Sequence, residues 1–349
     1  MAKGQILENT VSTTKTSVIS CEAIIVPLVS DSELIIFNWV VLAVLLQVID
    51  VFGITTNAVN IICFARQGFE DPINISLIGL AISDICCLAT LMWTNVCLTP
   101  AFGDLDLPFD AFEVQYLTSG MLHVTFTRVT GWVTALITIE RCLCIAAPLQ
   151  VKGMFTSRRM VVFTVGIFLI LLASETPFYM VNRLAPKWFP LKNKTVFGLV
   201  FTEDRESVEK VTFAINNGFI PISAFVIIIF CTTTIVIKLK VTTAWSQKST
   251  NSLQAKNISN RNRKVSKMVV IISIMFISCF IPVSLGFIVM TVIPELSVNG
   301  KYKNPLIMIA GLGFVLESLH SSANIFVYYH MSTKYQQTFN RLFCKKVVG

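Results

Sequence analysis

Charged residues are scarce in this chain. Asp, Glu, Lys and Arg make up 14% of its 349 residues, where a soluble domain carries about 25%. Hydrophobic residues reach 54%, and mean hydropathy is +0.71. One membrane domain uses nearly the whole chain, which leaves no room for a soluble catalytic domain. No Cys/His cluster has metal-ligand spacing. No nucleophile elbow and no paired catalytic acids within a span support a membrane enzyme. A convincing signal peptide is lacking too: the run Ala23–Val29 is short, contains Pro27 and has no basic lead. The first span is therefore expected to act as the targeting signal. Internal repeats and low-complexity tracts are absent.

Acids are missing from two connections, and that absence orients the protein. Residues 238–267 carry Lys238, Lys240, Lys248, Lys256, Arg261, Arg263, Lys264 and Lys267 with no acid. Residues 331–349 carry Lys334, Arg341, Lys345 and Lys346 with no acid. Lys152, Arg158 and Arg159 lie on the same side. The opposite side is acidic or mixed, with Glu8, Glu22, Asp31, Glu33, Asp104, Asp106 and Asp110. Positive loops stay cytoplasmic, so the amino terminus is outside and the tail inside. The net charge of +8 is then an inner rim facing anionic lipid, and nucleic acid is not needed to explain it.

What the chain has in quantity is apolar runs. Seven of them lie near 37–65, 73–97, 114–146, 160–182, 211–237, 266–292 and 305–330. An α-helix rises about 1.5 Å per residue, so roughly 20 residues cover a hydrocarbon core of about 30 Å. The expected architecture is all-α. An extracellular arm occupies 1–36, a seven-helix membrane domain 37–330, and a short amphipathic eighth helix with a cytoplasmic tail 331–349. The localisation is a multi-pass plasma-membrane protein. Ten cysteines are present, mostly within spans, and only Cys21 and Cys97 fall on the outer side, where disulfides persist.

Ionisable residues in hydrocarbon are costly, so each marks a candidate functional site. They are Asp50, Asp84, His123, Arg128, Glu140, Arg141, Glu175, Glu317 and His320. Glu317, Ser321, Asn324 and Tyr328 share one face of the seventh helix, and Asp50 and Asn57 one face of the first. Polar faces on several helices imply a hydrated interior. Asp84, a carboxylate with amide and hydroxyl neighbours, suits a small hard cation. Arg128 has two readings: an anchor for an anionic ligand, or a buried pair with Glu175 or a carbonyl. Glu140-Arg141 ends the third span, where an adjacent acid and base can neutralise each other or snorkel to the interface.

Several motifs in order carry a resemblance. Asn57 stands in the first helix and Leu80-Ala81-Ile82-Ser83-Asp84 in the second. Glu140-Arg141-Cys142 closes the third and is followed by Pro148-Leu149. Pro221 stands in the fifth, Cys279-Phe280-Ile281-Pro282 in the sixth and Asn324-Ile325-Phe326-Val327-Tyr328 in the seventh. Over about residues 37–343 the chain resembles a rhodopsin-like (class A) G-protein-coupled receptor. The run Glu140–Ile145 with Thr333-Lys334-Tyr335 is similar to chemosensory-type receptors of molluscs.

The resemblance implies a receptor that passes binding of an extracellular ligand, a peptide or small chemosensory molecule, to a heterotrimeric G protein. Ligand-binding candidates are His123, Thr127, Arg128, Phe280 and Glu317. His123 lies 18 residues before Arg141, or roughly 27 Å along the helix. Glu140, Arg141 and Leu149 would serve G-protein coupling. Asn57, Asp84, Thr130, Ser321 and Asn324 would form a polar core able to hold Na⁺, and no other metal or cofactor is implied. Pro221, Phe280, Pro282, Asn324 and Tyr328 would form the activation switch. Cys344 is placed for palmitoylation, and Asn193-Lys194-Thr195 is the outward glycosylation sequon. Arrestin and a receptor kinase would act on Ser and Thr of the 242–262 loop.

The departures from the family pattern are specific. Residues 113–122, which include Tyr116, and 183–210 contain no Cys, so the usual outer disulfide cannot form. A Cys21–Cys97 bridge is an alternative. Phe280 replaces a Trp, Ile325 a Pro and Ile229 a Tyr. An aminergic Asp is absent at His123, and no Lys lies between Pro305 and His330 for a retinal Schiff base. Amine and light sensing are disfavoured. An ion-coupled transporter or channel is the competing class, with the intramembrane acids as its path. Seven spans without a broken-helix pair weigh against it.

Overall fold

The computed structural model describes residues 28–147, 153–190, 193–246, 253–293, 295 and 300–344. Seven of its helices are long and apolar enough to cross a membrane. They are α1 (Asp31–Gln67), α2 (Pro72–Leu98), α3 (Ala111–Ala146), α4 (Ser157–Val181), α5 (Arg205–Val241), α6 (Leu253–Val292) and α7 (Lys303–Met331). An eleven-residue helix follows, α8 (Thr333–Phe343). Between α4 and α5 lies an antiparallel hairpin of β1 (Asn182–Phe189) and β2 (Lys194–Phe201).

Local chemistry sets the ends of these elements. Ser30 accepts a hydrogen bond from the Glu33 backbone N–H while the Glu33 carboxylate reaches back to Ser30, a capping box that starts α1. Gly68 stops that helix with φ +88°, a conformation that favours glycine. Pro72 opens α2 in the first turn, where its missing N–H loses nothing. The Ser332 hydroxyl caps α8 by accepting from the Tyr335 N–H at 3.2 Å.

The lipid-facing surface is apolar, and the interior combines apolar clusters with buried polar residues. Val44, Phe52, Leu169, Ile170, Phe219 and Phe230 point outward on α1, α4 and α5. Asp50, Asn57, Asp84, Thr130, Ser318, His320 and Asn324 are buried. Helix α3 is the hub and packs against α2, α4, α5 and α6. Small residues permit the close approaches. A Cβ on Gly79 would strike Thr164 of α4, and one on Gly53 would strike Ser322 of α7 and Leu88 of α2.

The helices extend past the spans read from hydropathy. Helix α6 begins at Leu253, well before the expected start near 266, because the polar segment 253–265 continues the helix beyond the hydrocarbon. Helix α5 begins at Arg205 because its first turns stand outside the apolar run. Helix α8 lays Tyr335, Phe339 and Leu342 against the inner ends of α1 and α7. The Tyr335 hydroxyl donates to Asn60 Oδ1 at 2.6 Å. Burial pushes that phenol above its ordinary range, so it stays protonated and able to donate.

Candidate functional site

In the outer half of the bundle a buried polar cluster joins α2, α3 and α7. His123 Nε2 lies 2.9 Å from Glu317 Oε2. Its Nδ1 lies 3.4 Å from Cys87 Sγ and 3.1 Å from the Cys87 carbonyl oxygen. Thr127 Oγ1 joins the group, 3.4 Å from Cys87 Sγ and 3.5 Å from Glu317 Oε2. Phe314 packs edge-on against the His123 ring at 5.5 Å. His123, Thr127 and Glu317 are thus brought together from positions up to 194 residues apart. Sequence reading missed Cys87; its signal was an α2 position three residues after Asp84, nearly one helical turn toward the outside.

Phe280 occupies a neighbouring layer. Its ring lies 4.5 Å from Phe276 and 5.2 Å from His320. This aromatic stack sits under α5 with Ile228 and Phe225. Pro282 lies inside α6, and Pro221 stands two residues after a π-helical stretch, Ala214–Phe219.

Arg128 is buried as an ion pair with Glu175 of α4. Asn216 of α5 donates to Glu175 Oε1 at 3.0 Å and to the Ser174 carbonyl at 3.0 Å. Of the two readings of Arg128, the buried pair is the arrangement found. Its Nη1 is committed to Glu175, away from the His123–Glu317 group.

Deeper in, Asp84 collects three donors from two helices, α3 and α7. Thr130 Oγ1 and Ser321 Oγ each donate to Oδ1 at 3.2 Å, and Asn324 Nδ2 donates to Oδ2 at 2.9 Å. Asn57 reaches the Ser321 carbonyl at 2.8 Å from α1. The Asn324 Oδ1 atom is buried with no partner of its own. Asp50, 0% exposed, accepts from Ser318 Oγ at 2.6 Å, so its carboxylate is held inside the bundle. Tyr328 packs on Phe64 and Tyr335 at the inner end.

The inner end of α3 carries Glu140 and Arg141, both buried and ion-paired with each other. Thr138 Oγ1 meets Ser273 Oγ of α6 at 3.1 Å, which closes α3 against α6. A cavity of about 450 Å³ opens beside them, lined by Phe64, Leu77, Lys264, Met268, Ser332 and Lys334 among others. Leu149 lies outside the described residues.

The outer surface lacks the family disulfide and is tied by other bonds. Glu113 of α3 accepts from the Leu199 N–H at 2.6 Å and from Lys187 Nζ at 2.9 Å. Lys194 pairs with Asp106. Phe197 exchanges backbone bonds of 2.9 Å with Pro108 and Asp110. Tyr116 packs edge-on against Phe178 at 5.7 Å in a π-helical stretch, Tyr116–Gly120. Cys97 is a buried free thiol, and Cys21 lies outside the described residues. Asn193 is exposed at the hairpin turn with φ +46°, and Cys344 is exposed just after α8.

The other departures fall where they disturb little. Ile229 is 45% exposed and faces outward from α5, so no interior contact is lost there. Ile325 packs against the main core and lets α7 run unbroken from Lys303 to Met331.

Comparison with known proteins agrees with this arrangement. The family described as 7 transmembrane receptor (rhodopsin family) matches residues 56–328. The Galanin-like G-protein coupled receptor npr-9 of Caenorhabditis elegans is 21% identical over 339 residues, covering 87% of this chain and 73% of that protein. G-protein coupled receptor 35 of Homo sapiens is 24% identical over 247 residues, covering 70% and 69%. The Allatostatin-A receptor of Bombyx mori is 19% identical over 306 residues, covering 84% and 77%. With seven apolar helices in place, the chain belongs to the rhodopsin family of seven-transmembrane receptors, which turn binding of an extracellular ligand into activation of a heterotrimeric G protein at the plasma membrane.

Proposed function

We propose that the extracellular ligand is a peptide, which touches the outer hairpin and reaches down toward His123 and Glu317. The observation that carries this reading is the exposed face of the hairpin. Pro186 pairs with Phe197 and Trp188 with Thr195, so Pro186, Trp188 and Phe197 share one face. Trp188 is 56% exposed and Phe197 50% exposed. Aromatic side chains left open on the outer hairpin suit a ligand with several side chains and an extended backbone. The names of two relatives, galanin-like and allatostatin-A receptors, point the same way.

The test is a panel of peptides and small chemosensory molecules applied to cells with a promiscuous G protein, read by calcium release. A peptide response is expected, and Trp188→Ala is expected to raise its half-maximal concentration by about tenfold, as for an aromatic hot spot. A response to small molecules alone, unchanged in Trp188→Ala, defeats the reading.

The remaining roles belong to the same proposal. Arg141 contacts the G protein after release from Glu140, and the neighbouring inner cavity receives part of that partner. Phe280, packed on His320 with Pro282 and Pro221 nearby, relays the outer event inward. Na⁺ binds at Asp84 with Thr130 and Ser321, and the unpartnered Asn324 Oδ1 is a fitting further donor. A receptor kinase phosphorylates the 242–262 loop and arrestin follows. A glycan on Asn193 and a palmitoyl group on Cys344 suit their exposed positions.

A further inference from the structure

Cys87, His123 and Glu317 stand far apart in the chain, on α2, α3 and α7. Their donor atoms nevertheless lie within 4.8 Å of one another, and all three residues are buried. Hydrogen bonding alone accounts for the present contacts. The combination of donor types suggests more. Thiolate, imidazole and carboxylate are each ligands that Zn²⁺ takes in proteins, and sites with three protein ligands leave a fourth position open. A thiolate argues against Mg²⁺ or Ca²⁺, which prefer oxygen, and a carboxylate argues against Cu⁺.

We propose that this cluster binds Zn²⁺. The separation of Cys87 Sγ from His123 Nδ1 is 3.4 Å. Two ligands at about 2.3 and 2.0 Å from one tetrahedral ion stand roughly 3.5 Å apart. Those two atoms are therefore already at chelating distance. Glu317 now accepts from the Nε2 edge of the ring and supplies the third ligand by turning its carboxylate to the Nδ1 side. Charge also balances. One Zn²⁺ with a Cys thiolate, a Glu carboxylate and a neutral imidazole sums to zero, so no net charge is buried. Entry of the ion releases the thiol proton of Cys87 and the proton that His123 Nδ1 holds toward the Cys87 carbonyl oxygen, and no oxidation state changes.

The site cross-links α2, α3 and α7 in the arrangement that accompanies the Glu140–Arg141 pair and the Thr138–Ser273 contact at the inner end. Zn²⁺ is thus expected to favour that closed arrangement. The effect on signalling rests on the assignment of this cluster to ligand recognition. Binding of the metal does not, so the two ideas fail separately.

The experiment uses full-length receptor purified in detergent, stripped with a chelator and titrated with Zn²⁺ or Co²⁺, with no agonist present. Wild type should bind one ion at this site and gain thermal stability. With Co²⁺ it should show thiolate-to-metal absorption in the near ultraviolet and tetrahedral bands in the visible. Cys87→Ser should lose the thiolate band. Glu317→Gln, which keeps the thiol, should keep a weakened band with affinity lower by about tenfold or more. Cys344→Ser, at an exposed thiol outside the cluster, should behave as wild type. Absence of the thiolate band in wild type overturns the proposal. So does a band that survives in Cys87→Ser or disappears in Cys344→Ser. If Cys87→Ser does not fold, Glu317→Gln decides, and an undiminished Zn²⁺ affinity there overturns it too.

Discussion

Helix α3 carries two buried arginine–glutamate pairs, and they differ in where the glutamate comes from. Arg141 pairs with Glu140, its neighbour in the chain. Arg128 pairs with Glu175, 47 residues away on α4, and Asn216 of α5 holds the same carboxylate. The first pair can open without moving α3 against any other helix. The second cannot open without separating α3 from α4. One therefore has the geometry of a latch and the other of a tether. Both arginines are buried at similar depth, so burial alone does not tell the two pairs apart. The address of the partner does.

The contrast is easiest to break at the tether. Glu175→Ala leaves the Arg128 guanidinium buried without its counter-charge. The expected loss is about 3–5 kcal/mol of stability, read as poor surface expression and a lowered melting temperature. Replacing Arg128 and Glu175 together with methionine should recover most of that loss, because no unpaired charge remains. A Glu175→Ala receptor as stable as wild type would remove the tether.

At the latch the fold should survive and the signal should not. Arg141→Ala is expected to reach the surface in normal amount yet give no ligand-evoked calcium response. Glu140→Gln, which weakens the hold on Arg141, should instead raise agonist-independent signalling. Full signalling by Arg141→Ala at normal expression would show that the pair is structural, like its counterpart.

A third region sharpens the comparison, because Asp84 has three neutral donors and no arginine. Such a carboxylate, when ionised, has no fixed counter-charge and can accept a cation. Agonist affinity should fall by about fivefold or more as Na⁺ replaces an inert cation, a typical allosteric coupling. Asp84→Asn should lose that dependence while keeping its hydrogen-bonding shape. An affinity indifferent to Na⁺ in wild type would count against a cation site.

The smallest effect is expected in the 242–262 loop, a basic stretch with no acid. A phosphate on Ser246, Ser249, Thr250, Ser252 or Ser259 adds about −1.5 to −2 charges and offsets neighbouring Lys or Arg. Alanine at these positions should prolong the response after agonist exposure. Deleting Lys345–Gly349 should not. Prolongation by the deletion alone would move the control to the tail.

The sequence by itself determined the seven spans, their orientation and the amphipathic α8. The first two follow from local composition, hydrophobic length and the Lys and Arg bias of loops, and α8 from the resemblance of Ser332–Phe343 to the family's amphipathic eighth helix. It also singled out Asp84, Asn324, Glu140 and Arg141, since a charge or amide inside an apolar run is visible without a partner. It could not say which of those groups meet. Cys87, His123 and Glu317 have no ligand spacing along the chain, and only the rotation of three helices about their axes brings them together. Arg128 was open between two readings until the packing of α4 and α5 placed Glu175 and Asn216 beside it. The β1–β2 hairpin went unread because its alternating burial is weak and its anchors, Glu113 and Asp106, lie in another part of the chain. Hydropathy is summed along one segment and survives without neighbours. A contact between segments depends on helix rotation and close approach at residues such as Gly53 and Gly79, which tertiary packing alone decides.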